Sequence, residues 1–265
     1  MTKWGLLDFK ESDKGIEVSV NARELMKDHF QEFKDRLSEF RNSDDEGTVC
    51  EDIKDDLLVY QTESLHPKQK RPERIPLLFL FGNPAPHSVK KGMFFSYERD
   101  CKEHRFWKVL AESKIFEIYE QVDDLNIRNK LRKEKLLGTS YTSPFQIYLD
   151  VFYSMPSPAT GKWSGVAGLK RLFGRNAFER ISELEKKRVE SMIKKHLSPN
   201  GVVLTFQKDA YDKIKSGSSP EYAREKAGRI EGNCEIVPEI KLYCLAPTRL
   251  MCKNLGLLEK LNETQ

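Results

Sequence analysis

The stretch "LLFLFGNPAPHSVKKGMFF", Leu77 to Phe95, decides how the rest of the chain is read. Five consecutive apolar residues, Leu77 to Phe81, run directly into Gly82-Asn83-Pro84, and the segment behind them carries His87, Ser88, two lysines, Gly92, Phe94 and Phe95. An apolar run of this length closed by Gly and Pro reads as a strand and a turn. Three runs of the same kind follow: "FQIYLDVFY" at 145–153, "GVVLTF" at 201–206 and "EIKLYCLA" at 239–246. Between them lie "HRFWKVLAESKIFEIYEQV" (104–122) and "NAFERISELEKKRVESMIKKHL" (176–197), whose apolar residues recur at helical spacing. Strands that are apolar throughout and separated by helices need cover on both faces. The predicted fold is therefore α/β, a three-layer α/β/α sandwich around a four-stranded, mostly parallel sheet. Ligands bind such sheets outside the carboxyl ends of the strands, which places Gly82 to Phe95 where a site is expected.

Working back from Leu77, the Pro-rich, basic loop "LHPKQKRPERIP" (65–76) delays the first of these strands until Ile75 or Pro76. Upstream of it, Asn21-Ala22-Arg23-Glu24 has the form of a capping box. Met26, Phe30, Phe33, Leu37 and Phe40 then repeat at spacings that put all five on one helical face, a face that docks on something. A polar, acidic connector, "NSDDEGTVCEDIKDD" (42–56), follows. Residues 1–74 are read as a helical, acidic N-terminal extension with its linker, and 75–265 as the α/β domain.

Composition narrows the function classes. The chain has 265 residues, 38% of them hydrophobic, enough to furnish a full core. Its five cysteines (Cys50, Cys101, Cys234, Cys244, Cys252) form no C-x-x-C pair, so no disulfide framework and no standard zinc or iron-sulfur spacing is written here, and neither a metal nor another cofactor is expected. No apolar run approaches the roughly 18 residues needed to span a bilayer. A soluble, cytoplasmic protein is expected, with association to a nucleoid or nucleus compatible with its charge. Residues 22–63 carry 13 Asp and Glu against 6 Lys and Arg, a balance of −7, which leaves +11 on the rest of a chain whose formal net charge is +4. A basic body suits a polyanion such as nucleic acid, and equally a plain solvated face. The acidic N-terminal helix is a candidate face for a protein partner.

The residues after the first strand carry a family resemblance. "GNPAPHSVKKGMFFSYERDCKEHRFWKVL" resembles the first motif of the uracil-DNA glycosylase superfamily, most of all the mismatch-specific uracil-DNA glycosylases: a strand, Gly-x-Asn-Pro-Gly, a Gly followed closely by a Phe, then Asn-Arg-Phe-Trp-Lys opening a helix. Asn83-Pro84, Ser88, Gly92, Phe95 and the run Arg105-Phe106-Trp107-Lys108 fit that order, with Phe81 and Ala85 where the family has its two glycines. "YLDVFYSMPSP" resembles the second strand and its DNA-side loop, and "IKKHLSPNGVVLTFQKDAYDKI" the third unit. "YCLAPTRLM" occupies the place of the second motif, without the histidine that some branches use there and without a Ser-Gly pair. The likeness covers about 76–258.

The resemblance implies a DNA glycosylase acting as a monomer on DNA that holds a deaminated base. Such an enzyme extrudes the nucleotide, recognises the base and lets water replace it at the sugar. Asn83 would hold that water. A neutral amide can position water but is a poor base, so the expected mechanism is dissociative. Phe95 would be the aromatic floor under the extruded base. Pro84, Ala85 and Ser88 would line the base, with backbone N–H groups of 84–88 stabilising the anionic leaving group. Asp150 is a second catalytic or water-binding candidate on its own account: a carboxylate inside an apolar strand is costly when buried, so it should face the crevice or be hydrogen-bonded.

Pro247, Thr248, Arg249 and Leu250 would enter the duplex, an apolar side chain filling the vacated stack and the arginine meeting the widowed base or a phosphate. Lys162, Lys170 and Arg171, in the glycine-rich "GKWSGVAGLKRLFGR" (161–175), and the basic run "NIRNKLRKEK" (126–135) suit phosphates. Each residue also has a plain use. Asn-Pro after a strand is a common turn, one of Phe94 and Phe95 belongs to the core, His87 reads as a surface histidine, and Phe106 with Leu110 packs a helix on the sheet. Two alternatives stay open: a catalytically inactive protein of the same fold that binds nucleic acid or nucleobases, and a nucleotide-binding α/β interaction module. The missing G-x-G-x-x-G argues against a dinucleotide site.

Overall fold

The computed structural model describes residues 2–12, 15–43, 53–96, 102–116, 122–222, 230–245 and 255–263. In chain order its elements begin with β1 (Thr2–Trp4), β2 (Leu7–Ser12), β3 (Gly15–Asn21), α1 (Ala22–Met26), α2 (Phe30–Arg41), β4 (Leu57–Thr62), β5 (Ile75–Phe81), α3 (Pro86–Lys91) and α4 (Arg105–Glu112). They continue with α5 (Leu125–Gly138), β6 (Phe145–Val151), α6 (Gly165–Phe173), α7 (Arg175–His196), β7 (Val202–Thr205), α8 (Lys208–Ile214), β8 (Ile230–Asn233), β9 (Lys241–Cys244) and α9 (Leu255–Glu263). The chain divides into two compact units, neither contiguous in sequence: 1–64 with 82–94 and 151–189, and 65–81 with 95–150 and 190–265.

The first unit corrects the helical reading of the N-terminus. Strands β1 to β4 form an antiparallel sheet in that order, so the region is a sheet with helices rather than a helical extension. Val18, Val20, Leu58 and Tyr60 alternate with exposed or half-exposed neighbours, as strands with one buried face require. Asn21 closes β3 and opens α1: its Oδ1 accepts the Glu24 N–H at 3.0 Å, while its own N–H goes to Leu6 O rather than back to Glu24. A 3-10 turn at Lys27–His29 interrupts the predicted helix, yet Met26, Phe30, Phe33, Leu37 and Phe40 are all buried. Their dock is α6. Phe33 stacks on Phe173 at 5.3 Å, Phe40 meets the Trp163 ring edge-on at 6.0 Å, and Arg36 Nε donates to Leu172 O. The glycine-rich segment read as a loop is helical over 165–173, and Gly168 shows why glycine stands there: a Cβ at that position would lie 1.9 Å from Trp163 O.

The second unit holds a mixed, mostly parallel sheet of five strands, one more than the sequence predicts, in the order β6-β5-β7-β9-β8. β5, β7 and β9 run parallel, and the added strand β8 lies antiparallel against β9. Strands β6 and β7 are buried along their whole length and β5 along its last five residues, whereas β8 and β9 alternate, which is why the first three read as continuous apolar runs. β6 starts beside β5, with the Ile75 N–H donating to Pro144 O at 2.9 Å. Strand order therefore reverses at β5, and a sheet of this kind offers its ligand crevice at the carboxyl end of that strand. Gly82 and Asn83 follow that end directly. Among the described residues no helix is long and apolar enough to cross a membrane.

Candidate functional site

In the first unit, the loops that leave β5 and β6 are laced together. The Tyr153 N–H donates to Gly82 O at 2.8 Å and the Ser157 N–H to Pro84 O at 3.2 Å. Between these two backbone ties lies the Asn83 side chain. Its Nδ2 donates to Ser157 Oγ at 2.8 Å and reaches Pro84 O at 3.3 Å and Met155 O at 3.5 Å. Two of these neighbours are carbonyl oxygens, which only accept, so the nitrogen end of the amide is the one turned toward them. No described residue donates to Oδ1, and the side chain is half-buried.

The β6 loop is fixed in turn by a buried ion pair. Glu185, 1% exposed, accepts from the Ser154 N–H at 2.7 Å, from Ser154 Oγ, and from Arg188 Nε at 2.7 Å. Arg188 also donates to Val151 O and Phe152 O, and Tyr60 of β4 shares a 2.8 Å hydrogen bond with Ser154 Oγ. Three donated hydrogen bonds, one of them from a cation, hold this buried carboxylate in place.

Pro84 and Ser88 are buried and Ala85 half-buried. The donor supply of residues 84–88 is smaller than the sequence implies: Pro84 and Pro86 have no N–H, and the Ser88 N–H is given to Ala85 O at 3.0 Å. Ser88 O accepts in turn from the N–H groups of Gly92 and Met93, closing α3 with Gly92 at φ +63. Lys162, Lys170 and Arg171 are exposed but engaged: Lys162 pairs with Glu39 at 2.6 Å and lies over the Trp163 ring, Arg171 donates to Lys162 O, and Lys170 lies over Phe178.

In the second unit, Phe94's neighbour Phe95 is half-exposed at φ +50, a left-handed conformation that a phenylalanine adopts only when its surroundings impose it. Here they do. Phe95 O accepts from Trp107 Nε1 at 3.1 Å, and the ring packs against Phe81 at 4.8 Å, Phe106 at 4.7 Å and His104 at 4.4 Å. His104 caps α4 by accepting the Phe106 N–H at Nδ1. The next residue is held as well, by Asn129 of α5 donating to Ser96 O. Two cations of the basic run on that helix, Arg128 and Arg132, are taken up by Glu103.

Asp150 resolves to the hydrogen-bonded of its two expected states. It is 1% exposed, and its Oδ2 lies 2.8 Å from His66 Nε2. A bridge between Leu65 and Leu149 brings His66 alongside β6, where its ring packs with those of Tyr148 (5.7 Å) and His196 (5.4 Å). Burial, then the neighbouring His66, Lys195 and Lys70, push His196 down to about 4, and burial drives Tyr148 up to about 12. Among the described residues no group of three or more His, Cys, Asp and Glu converges as metal ligands would.

Asn83, Pro84, Ala85, Ser88, Lys162, Lys170 and Arg171 thus belong to the first unit and Phe95 and Asp150 to the second, while Pro247, Thr248, Arg249 and Leu250 lie outside the described residues. Sequence reasoning missed Ser157, Glu185 and His66. The first sits in a quoted loop with no sign of its partner, and the last appears in sequence only as a histidine in a basic loop. No family model matches this chain, and no curated protein matches it either.

Proposed function

We propose that the chain is a uracil-DNA glycosylase-like hydrolase, monomeric and free of cofactors, that cleaves the N-glycosidic bond of uracil or another deaminated base in DNA. The helices and sheet of its α/β domain are read, in the same proposal, as a three-layer α/β/α sandwich. One observation supports the reading: the Asn83 amide gives its hydrogens to protein oxygens, and among the described residues nothing donates to Oδ1. An acceptor held just past the carboxyl end of β5 would take one hydrogen from a water and leave that water's lone pairs to the sugar.

The chemistry that follows is dissociative. The bond from C1′ to the base breaks with its electron pair leaving on the base, water adds to the C1′ cation, and the proton that water loses goes to solvent while the base gains one. Asn83 cannot donate to the departing anion, because its N–H groups are committed elsewhere. Leaving-group stabilisation then falls to the Ala85 N–H and to the intrinsic acidity of the base, which favours uracil-like leaving groups. Phe95 supplies a partly exposed ring for stacking, worth about 1–3 kcal/mol per base.

A second reading, a catalytically inactive protein of the same fold that binds nucleic acid or nucleobases, is favoured by the short supply of N–H donors at 84–88. Labelled duplexes carrying uracil opposite guanine, uracil opposite adenine, hypoxanthine or xanthine, cleaved by alkali after incubation, separate the two. Strand breaks at one of these bases, lost in Asn83→Ala, support the enzyme. Tight binding to the same duplexes without any break supports the binder.

A further inference from the structure

We infer that Ser157 is the positioning residue for Asn83: its hydroxyl anchors the amide nitrogen that the Pro84 and Met155 carbonyl oxygens turn inward, and so holds Oδ1 where a water would sit. The inference rests on the glycosylase reading for its kinetic consequence but not for its geometry. An asparagine amide is nearly symmetric in shape, so its two orientations differ only in the hydrogen bonds they make. Of the three oxygens around Nδ2, Ser157 Oγ at 2.8 Å is the one at full hydrogen-bond distance, while Pro84 O and Met155 O, at 3.3 and 3.5 Å, are near or at its limit.

Those two carbonyl oxygens only accept and so set which end of the amide faces inward, while the hydroxyl, which can donate or accept, supplies the full-strength bond that fixes its place. Ser157 comes from 74 positions away and is 3% exposed. It is itself pinned. Its N–H bonds Pro84 O at 3.2 Å, and three residues earlier Ser154 is fastened to Glu185. Without the hydroxyl, the amide keeps only its two long contacts and can swing, so the water loses its fixed place against the sugar.

The test uses Ser157→Ala and Ser157→Thr in the full chain. Single-turnover base release from a uracil–guanine duplex should fall roughly tenfold in Ser157→Ala, the worth of one neutral hydrogen bond, with KM unchanged, and return in Ser157→Thr. The side-chain NH2 signals of Asn83, assigned in a proton–nitrogen spectrum by their loss in Asn83→Ala, give a readout that needs no activity. They should lie at hydrogen-bonded shifts in the wild type and Ser157→Thr, and move to ordinary amide shifts in Ser157→Ala. Unmoved signals in Ser157→Ala overturn the inference whatever the rates are. Signals that move as expected in a protein that releases no base uphold the positioning and sink the glycosylase reading instead.

Discussion

Replacing Asn83 tests the amide's orientation and the chemistry together. In Asn83→Ala the loss to folding is bounded by what the side chain does: one hydrogen bond of full strength, to Ser157 Oγ at 2.8 Å, and two long contacts. Pro84 O keeps the Ser157 N–H as a partner, so no buried carbonyl there is stranded. The expected cost is about 1 kcal/mol of stability. Base release should fall further, by roughly 10², or about 2.7 kcal/mol at 1.36 kcal/mol per tenfold, as when one placed polar group is lost at a reacting centre. Asn83→Asp is the sharper probe. A carboxylate is a better base than an amide, but it would set an oxygen without hydrogens against Met155 O, Pro84 O and Ser157 Oγ. At pH 7.5 it should melt below Asn83→Ala. The pocket disfavours the charged form, which raises the carboxyl's folded-state pKa above its unfolded value, so the gap should narrow as pH falls toward 5 and the group takes up its proton. Thermal unfolding by circular dichroism at the two pH values, beside single-turnover base release, reads both axes. An Asp variant at least as stable as the wild type at pH 7.5 would mean that the amide is turned the other way round, and the water-holding argument would fall with it.

Gly168→Ala should destabilise by about 1–3 kcal/mol or more, since the added carbon meets backbone at 1.9 Å; Gly217→Ala, with nothing within 4 Å, should be neutral in the same melting experiment. Glu185→Gln removes the buried carboxylate that pairs with Arg188 and should cost about 3–5 kcal/mol in urea unfolding. His196, lowered from 6.5 to about 4, takes up a proton more readily unfolded than folded between those values. Stability should therefore decline as pH falls from about 6.5 toward 4, and His196→Gln should flatten that slope in pH-dependent melts.

What could be read from sequence was what local pattern encodes. Strands β5, β6 and β7 announced themselves because burial on both faces leaves few polar residues to interrupt the run, and the buried stripe from Met26 to Phe40 because one face of a helix has a period. The N-terminal sheet was harder. Ile16, Val18 and Val20 do alternate with Glu17 and Ser19, but over five residues, ahead of a strong helix signal and among charges that read as surface. β8, "IEGN", has a glycine and an acid in four residues and is held as a strand by its register against β9, which nothing nearby in the chain encodes. The same limit hid His66 beside Asp150, 84 positions apart, and Glu185 beside Ser154, 31 apart. Hydrogen bonds between distant segments have no period to detect.

Asn83 shows what the structure adds where the sequence is ambiguous. Asn-Pro after a strand is what a turn wants and also what a water-binding site wants, so residue type cannot separate the two uses. The atoms can. An asparagine that builds a turn does so with its oxygen, accepting a backbone N–H about two residues on. Asn83 does the reverse: its nitrogen is spent, on Ser157 Oγ, Pro84 O and Met155 O, and its oxygen accepts from no described residue. A half-buried acceptor left over just past β5 has no work in holding the turn, which the Tyr153–Gly82 and Ser157–Pro84 backbone bonds already hold. Under the proposed reading, that acceptor is what would take a hydrogen from the attacking water, and the Asn83 variants above test it.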